Sequence, residues 1–268
     1  MDYPTTEVKP DSPQYPKLLS QIHDMPKKLY CRGNLSLLNS ECLAVVGTRK
    51  LTSYGKDAAQ HMVRDLVNAG FTIVSGLALG IDAVAHQTTL DCGGKTIVVL
   101  GGGVGNGNIG PRTNYQLAQN ILKNNGLLIS EYSDRENIRA FNFAVRDRII
   151  SGLSKGVLVV EAAEGSGALI TAKCAVDQGR DVFAIPGSIF SSRSYGPHWL
   201  ISNGAKLVSS SRDIIDEYGH NLAFLKNKKV DIKDPTEKKV LNIITESGEI
   251  SADKIIRMSG EETEKVIA

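Results

Sequence analysis

The stretch FAVRDRIISGLSKGVLVVEAAEGSGALITA, residues 143–172, sets a buried strand between a basic segment and a Ser-Gly turn. The continuous apolar run at residues 157–160 is typical of a strand that is covered on both faces of a parallel sheet. The turn at residues 164–167 opens a helical pattern over residues 168–176, which Gly179 closes. The stretch predicts an aromatic ring, two guanidiniums and free backbone N–H groups near one sheet edge. Such a set suits an aromatic base and its phosphate better than it suits bond-breaking chemistry.

Apolar runs of the same kind lie on both sides of this stretch. They occupy residues 43–46, 71–74, 96–100, 127–130, 182–185 and 205–208. Helical patterns separate them, such as the apolar stripe that runs from Ala59 to Val67 and closes at Gly70. The alternation predicts an α/β fold, a doubly wound and mostly parallel Rossmann-like sheet. Ligands of such sheets bind at the carboxyl ends of the strands, so the turns there are the candidate functional positions.

The rest of the chain predicts a division into four parts. Residues 1–40, rich in proline and polar residues, form a lead-in segment that packs on the Rossmann-like domain of residues 41–220. The lysine-rich residues 221–234 form a linker. Residues 235–268 form a small all-α segment.

Start signals for three short helices mark the carboxyl-terminal segment. Asp234-Pro235 starts the first helix, the second follows Ser251, and Ser259 with Glu262 forms a capping box for the third. This order is typical of a helix-turn-helix unit and favours a partial winged-helix domain. A helical tail that packs on the main domain is the alternative.

The composition narrows the class of protein. The 268 residues are 41% hydrophobic and 22% charged, which is typical of a soluble globular protein. With a net charge of +2, nucleic-acid binding depends on where the charges lie. The four cysteines form no CxxC pair, which argues against a zinc site or a redox pair. The amino-terminal segment lacks the apolar core of a signal peptide, so a cytoplasmic protein is expected.

The first candidate turn is Gly47-Thr48-Arg49, at the end of the run at residues 43–46. Gly47 allows a tight reversal and Thr48 is a candidate helix cap. An arginine at this position suits a phosphate, because its guanidinium donates two parallel hydrogen bonds. A surface arginine near a helix start is the alternative.

The second candidate turn runs from Ser75 to Asp82, with His86 four residues further on. Ser75 and Gly76 leave room for a close approach to the backbone. A metal site would need more ligands and an acid–base site lacks a nucleophile. The residues therefore favour a helix-capping Asp82 and a structural His86.

The third turn contains Gly105-x-Gly107-x-x-Gly110, a match to the dinucleotide-binding motif, after the run at residues 96–100. Glu131 lies where a ribose-binding acid is expected. Three further glycines precede the motif, however, so a flexible loop is favoured over a dinucleotide site. Arg112 and Asn114 open the next helix.

The remaining candidates belong to the stretch quoted first. Phe143 and Arg146 are three residues apart and Asp147 is four from Phe143, so a helix places them on one face. A ring there stacks on a base, and a guanidinium holds a phosphate. A core phenylalanine with a surface ion pair is the alternative. Ser166 and Gly167 begin a helix whose free N–H groups form an anion site, and Thr171 lies one turn further along.

A series of ordered motifs extends over residues 14–219. The motifs are Tyr15-Pro16, Pro26-x-x-Leu29-Tyr30-x-x-Gly33, VGTR, SGLALGIDAVAH, LLISEY, FxxRxR followed by IISGLS, VVEA, SGALITA, and IPGS ending in LISNGA. Together they resemble the DNA-processing protein A family (DprA, also called Smf). A colinear set of this kind is far more specific than any single glycine motif.

The resemblance implies a homodimer, formed near residues 200–219, that binds single-stranded DNA and passes it to the RecA recombinase. It implies a role in natural transformation or DNA recombination, displacement of single-strand-binding protein, and no catalytic residue, metal or cofactor. In the matching positions Arg49 would hold a phosphate, Phe143 would stack on a base, and Arg146 and Arg148 would line the pocket. The remaining residues of the predicted DNA-binding set are Ser166, Gly167 and Thr171 as donors, together with Ser75, Gly76, Arg112 and Asn114.

Four positions depart from the family pattern. Gly110-Pro111 replaces a Tyr-Pro pair, and Asp147 stands in the middle of an Arg-Asn-Arg triplet. Glu164-Gly165 stands where a basic residue is frequent, and Pro197-His198-Trp199 replaces a Gly-x-Asn approach to Leu-Ile. The two acids add negative charge beside the predicted pocket, which weakens or retunes its affinity for DNA.

Two enzyme classes are the alternatives to a DNA-binding protein. Phosphoribohydrolases of a related fold release a base from its monophosphate, and Glu161 is the candidate general acid for that reaction. A dinucleotide-dependent oxidoreductase would need the glycine motif at residues 105–110 to be a cofactor site.

Overall fold

The computed structural model describes residues 3–136, 139–219, 234, 236–237, 239–240, 242–243 and 252–260. The chain divides into two compact units, Met1–Leu222 and Ala223–Ala268.

A nine-stranded sheet forms the centre of the first unit, in the order β1-β2-β6-β5-β4-β3-β7-β8-β9. The strands from β6 to β9 in that order pair in parallel, and β1 and β2 add an antiparallel edge. The bounds are β1 Thr5–Val8, β2 Leu29–Gly33, β3 Cys42–Val46, β4 Thr72–Ser75, β5 Thr96–Val99, β6 Leu127–Ser130, β7 Gly156–Val159, β8 Asp181–Ala184 and β9 Lys206–Leu207.

Helices cover both faces of this sheet, and the doubly wound, mostly parallel α/β fold predicted from the sequence is confirmed. The helices of the first unit are α1 Ser53–Asn68, α2 Ile81–Asp91, α3 Tyr115–Lys123, α4 Asn142–Leu153, α5 Gly167–Asp177, α6 Tyr195–Ser202 and α7 Arg212–Ile215. Short 3-10 helices lie at Leu19–Gln21, Leu35–Asn39, Arg112–Asn114, Ser192–Ser194 and Asp216–Tyr218.

The apolar stripe of α1 shows how the sequence pattern produces this packing. Ala59, Met62, Val63 and Leu66 are all buried in one cluster with residues of β3 and β4. Gly70 follows the helix with a φ of +100°, a backbone conformation that residues with a Cβ rarely adopt. Burying four such side chains against the sheet fixes the helix on one of its faces.

The amino-terminal segment contributes more than the predicted lead-in. Leu19 and Ile22 do pack in the core, as expected for a segment that lies on the main domain. In addition, β1 and β2 extend the sheet, with Cys31 of β2 opposite Ile129 of β6. These short edge strands carry too few apolar residues for a pattern of their own.

The direction in which strands are added changes at β3. The chain proceeds from β3 through β4 and β5 to β6 on one side, and through β7 and β8 to β9 on the other. The carboxyl ends of β3 and β7 therefore form the topological switch point, where ligands of such sheets bind.

Two of the three helix starts predicted for the carboxyl-terminal segment fall on described residues of the second unit. The Asp234 carboxylate accepts hydrogen bonds from the N–H groups of Thr236 (2.7 Å) and Glu237 (3.3 Å), which is N-cap geometry. The helix expected after Ser251 is present as α8, Ala252–Ser259. The third helix start, at Ser259 and Glu262, extends outside the described residues, as does most of the linker. Across the part of the chain that is described, no helix has the length and apolarity needed to span a membrane.

Candidate nucleic-acid interface

A cleft of about 590 Å³ opens at the switch point. Its walls come from the turn after β3, the first half of α4, the amino-terminal turn of α5 and the 3-10 helix before α6. Six residues of the predicted DNA-binding set line it: Arg49, Phe143, Arg146, Ser166, Gly167 and Thr171. Phe143, Arg146 and Asp147 lie on one face of α4, as their three- and four-residue spacing predicts.

The turn after β3 holds Arg49 at the cleft in a fixed backbone geometry. The Thr48 N–H donates to the carbonyl of Glu161 (2.7 Å), and the Thr48 carbonyl accepts from the N–H of Ile81 (3.2 Å). A Cβ at Gly47 would lie 2.6 Å from the Ile81 side chain, so only glycine fits there. The Arg49 side chain is exposed, and among the described residues it has no hydrogen-bond or ion-pair partner.

Thr48 does not cap a helix, contrary to the expectation from the sequence. Its hydroxyl accepts from the Lys50 N–H (3.2 Å), whereas Thr52 is the N-cap of α1 and accepts from the Gly55 N–H (3.0 Å). The buried Glu161 in turn fixes Thr52: its carboxylate accepts from the Thr52 N–H (3.0 Å) and from the Thr52 hydroxyl (2.6 Å). Both Glu161 oxygens therefore serve the turn that carries Arg49.

The Phe143 ring borders the cleft in a half-buried position. It packs against Gly101, where an added Cβ would lie 2.9 Å from Cδ1 of the ring. The absence of a side chain at Gly101 therefore sets how deeply the ring sits.

Arg146 is buried, with 4% of its surface exposed, and joins the ends of two strands. Its Nη1 donates to the carbonyl of Gly76 (2.9 Å) and to that of Val99, at the ends of β4 and β5. Its Nε donates to Oδ1 of Asp147 (3.1 Å). Much of the hydrogen-bonding capacity of this guanidinium is thus used inside the protein, although its charge still acts on the cleft.

Two buried carboxyl groups share the charge of Arg146. Burial chiefly raises the pKa of Asp147 to about 6, with a further rise from Asp82 and an opposing effect of Arg146. Burial likewise raises the pKa of Asp82, whose carboxylate accepts from the N–H groups of Gly76 (3.1 Å) and Ala78 (3.3 Å). Asp82 therefore fixes the turn after β4. It does not cap α2 as predicted, because the N-cap residue of α2 is Gly80.

His86 has the structural role that the sequence favoured. The side chain is fully buried, and its Nδ1 lies 2.7 Å from the hydroxyl of Thr96. Burial, and then the nearby Arg146, lower the pKa of His86 to about 3, so the ring is neutral at physiological pH.

The amino terminus of α5 supplies backbone donors to the cleft. Ser166 is its N-cap residue and makes no side-chain capping bond, and Gly165 before it has a φ of +71°. The first N–H groups of a helix have no partner within the helix and carry the positive end of its dipole. Residues 164–168 all line the cleft, so these donors are available to an anion there.

Arg148 does not line the cleft, contrary to the prediction that it lines the pocket with Arg146. Its Nη2 donates to both carboxylate oxygens of Glu131 (2.7 and 2.8 Å), and its Nε lies 2.9 Å from Asp24. Residues two apart on a helix do not share a face. The pairing also occupies Glu131, the expected ribose-binding acid.

The other four predicted residues lie outside the cleft lining as well. Ser75 is buried and donates to the Val45 carbonyl (2.7 Å), and Gly76 is covered by the Arg146 guanidinium. The Asn114 amide donates to the carbonyl of Leu77 (2.8 Å), so it supports the turn after β4. Arg112 is exposed, donates to the Asn106 carbonyl (2.8 Å) and lies over the Tyr115 ring.

The glycine motif after β5 does not form a dinucleotide site. The Gly105 N–H donates to the Asp134 carboxylate (2.6 Å), and the Asn108 amide donates to the Asp134 carbonyl (2.8 Å). These bonds join the loop to Asp134, and the flexible loop favoured from the sequence stays a prediction. No helix starts within it, since the next element is the 3-10 helix Arg112–Asn114.

Two cations that line the cleft were not predicted from the sequence. Lys50 and Arg193 both line it, and the Arg193 Nε donates to the Lys50 carbonyl. Arg193 is 144 positions after Arg49 and joins it only through the pairing of β3, β7 and β8. No local pattern marks such a residue.

Comparison with known proteins decides the family. A model of the family described as DNA recombination-mediator protein A matches residues 7–219. The chain belongs to this family. Protein Smf of Escherichia coli K12 is 46% identical over 218 residues, which are 81% of this chain and 58% of that protein. DNA processing protein DprA of Bacillus subtilis is 44% identical over 207 residues, which are 77% of this chain and 69% of that protein.

Solved structures of the family share the fold. The X-ray structure of DprA from Streptococcus pneumoniae has a TM-score of 0.75 at 43% identity, and covers 80% of this chain and 74% of that one. The Helicobacter pylori DprA structure, which concerns the single-stranded DNA binding mode of that protein, has a TM-score of 0.71 at 30% identity. It covers 81% of this chain and 96% of that one.

Proposed function

We propose that this chain binds single-stranded DNA in the cleft at the switch point and hands it to a RecA recombinase, without catalysing a reaction. The observation that carries the proposal is Arg49, an exposed guanidinium with no partner among the described residues, in the same cleft as the Phe143 ring and the amino terminus of α5. A phosphate fits the guanidinium and the helix N–H groups, and a base fits the ring.

The expected DNA contacts follow from the geometry of the lining. Arg49, Lys50 and Arg193 supply cations to the phosphates, with further donors from Ser166 and Gly167. These contacts carry no sequence information, and stacking on a phenylalanine is tolerant of every base. Binding should therefore show little base preference and should prefer single strands, whose bases are free to stack.

The comparisons support this assignment. The Helicobacter pylori relative has a structure that concerns single-stranded DNA binding, and the Bacillus subtilis and Streptococcus pneumoniae relatives are named DNA processing proteins. The family description, a recombination mediator, supports transfer of DNA to a recombinase in natural transformation or DNA recombination.

The phosphoribohydrolase alternative is disfavoured by the position of Glu161. Both of its carboxylate oxygens accept hydrogen bonds from Thr52, so it holds the turn and is poorly placed to donate a proton to a leaving base. Release of free base from AMP that Glu161→Gln abolishes, with the fold retained, would restore this alternative.

An apolar groove of about 1,230 Å³ supports the proposal of a homodimer formed near residues 200–219. Leu169, Val176, Trp199 and Leu200 line it, and Val176 is 63% exposed. Exposed apolar side chains grouped around one groove suit a contact between two copies of the chain. Light scattering should give the mass of two chains, and Val176→Asp should reduce it to one.

The test of the cleft is binding of a fluorescently labelled oligothymidine by the double variant Arg49→Ala, Phe143→Ala. We expect binding to be lost while the circular dichroism spectrum stays that of the wild type. Wild-type binding by this variant would reject the cleft as the site. For the handover, the wild type should speed RecA assembly on DNA coated with single-strand-binding protein, and the double variant should not.

A further inference from the structure

The loop that follows β8 exposes two large apolar side chains. Ile189 is 81% exposed and Phe190 is 93% exposed. A phenylalanine that packs on almost nothing gains no hydrophobic stabilisation from folding, so Phe190 does not serve the core.

The backbone of this loop is nevertheless fixed. The Tyr54 hydroxyl donates to the carbonyl of Pro186 (2.5 Å), which ties the start of the loop to α1. The Ser191 N–H donates to the Ser188 carbonyl (3.0 Å), and the Phe190 N–H donates to the Ser188 hydroxyl (3.3 Å). The loop therefore holds the backbone of Phe190 in a defined place, which lowers the entropic cost of ordering the loop when a ligand binds there.

An aromatic groove of about 580 Å³ lies beside this loop. Its aromatic residues are Phe190, Tyr195 and Trp199, and none of its lining residues is an aspartate or a glutamate. Ser192 lines both this groove and the cleft, and its neighbour Arg193 also lines the cleft. The two sites are therefore continuous at Ser192.

We infer that the aromatic groove is a second base-stacking site, onto which a single strand continues from the cleft past Ser192. The inference rests on the proposed function of the cleft. Ring faces edged by hydroxyl groups, without carboxylates and next to Arg193, match the stacking surface and cationic track that single strands require. The apolar groove borders the aromatic groove and shares Tyr195 and Trp199 with it. Its lining also includes Val176 and the acids Asp181 and Glu217, which suit a protein contact better than a phosphate chain.

The length of the bound strand tests this inference. Binding of labelled oligothymidines of about 5 and about 15 nucleotides is compared for the wild type and Phe190→Ala. The short strand occupies the cleft alone and should bind both proteins equally. The long strand should bind Phe190→Ala at least about fivefold more weakly, and Phe190→Trp should restore its affinity. Met25→Ala, which removes another exposed apolar side chain (40% exposed), is the matched control and should bind as the wild type does.

Trp199 gives an independent signal, because it is the one tryptophan of the 268-residue chain and it lines the aromatic groove. Its fluorescence should be quenched by the long strand at saturation and not by the short one. Equal affinities of the wild type and Phe190→Ala for the long strand would overturn the inference and leave the cleft assignment intact. An equal loss for both lengths, or a change in oligomeric mass in Phe190→Ala, would also overturn it. Failure of the wild type to bind either strand would overturn the proposed function as well.

Discussion

Arg146 and Asp147, adjacent in sequence, form a buried ion pair at the cleft, with 3.1 Å between Nε and Oδ1. A carboxylate here reduces the attraction of the cleft for a phosphate, because Arg146 must balance Asp147 and also lies near Asp82. The protonation of Asp147 therefore sets the net charge that a bound phosphate meets.

The affinity for single-stranded DNA should rise as the pH falls from about 8 to about 5, since Asp147 loses its charge around its pKa of about 6. Asp147→Asn should bind more tightly than the wild type at neutral pH, by about tenfold, and should lose this part of the pH dependence. Anisotropy titrations at constant ionic strength measure both effects. Asp57→Asn, an exposed acid of α1 outside the cleft, is the control and should follow the wild type. Parallel pH profiles of Asp147→Asn and the wild type would contradict the prediction.

The same substitution should stabilise the protein at neutral pH. The pKa of Asp147 is raised in the folded state, from 3.8 to about 6. At a pH above about 6 the charged carboxylate therefore lowers the free energy of unfolding. The penalty is relieved as the pH falls through about 6 and is absent below about 3.8. Asp147→Asn should thus increase the free energy of unfolding by roughly 2 kcal/mol at neutral pH. Urea titrations at several pH values measure this difference. If Asp147→Asn remained more stable than the wild type at low pH, the charge of Asp147 would not be the cause of the added stability.

Gly101→Ala should weaken DNA binding without removing any group that contacts DNA. The new Cβ would lie 2.9 Å from the Phe143 ring, and must displace it from its place at the cleft. We expect a loss of about fivefold or more in affinity for oligothymidine, close to that of Phe143→Ala, because the stacked base loses its surface. Gly107→Ala is the control, because Gly107 is exposed, lies outside the cleft lining and has an open Cβ position, and it should bind as the wild type does. Affinity of Gly101→Ala equal to that of the wild type would mean that ring depth is immaterial.

Arg148→Ala should lower stability while leaving DNA affinity nearly unchanged. The side chain is 12% exposed and pairs with Glu131 and Asp24, so its loss leaves a half-buried carboxylate unpaired. We expect a cost of about 2–4 kcal/mol in the free energy of unfolding, measured by urea denaturation. A large loss of DNA affinity in a folded Arg148→Ala protein would return this residue to the binding site.

Much of the fold follows from short-range patterns. The continuous apolar runs predicted β3 to β9, and the stripe from Ala59 to Leu66 predicted α1, because buried strands and amphipathic helices each have a fixed period. The edge strands β1 and β2 were missed, since their burial depends on β6, about a hundred residues away.

For the candidate site, too, local spacing predicted some positions and failed for those that depend on distant partners. The spacing of Phe143, Arg146 and Asp147 predicted a shared helix face, and all three line the cleft. The positions of Arg148 and Arg193 depend on partners distant in sequence, Glu131 and Asp24 for the first and the Lys50 carbonyl for the second. Spacing within one element carries no information about such contacts.

Binding of single-stranded DNA in the cleft should depend on Arg49. A titration of labelled oligothymidine across a series of salt concentrations, with duplex DNA as competitor, tests this for the wild type, Arg49→Ala and the exposed control Arg64→Ala. We predict that the wild type prefers the single strand and that its affinity falls linearly on a log–log plot with salt. Arg49→Ala should reduce that slope by about 0.7, the share of one phosphate contact, and Arg64→Ala should not. Absence of binding at low salt, or an unchanged slope in Arg49→Ala, would contradict the account.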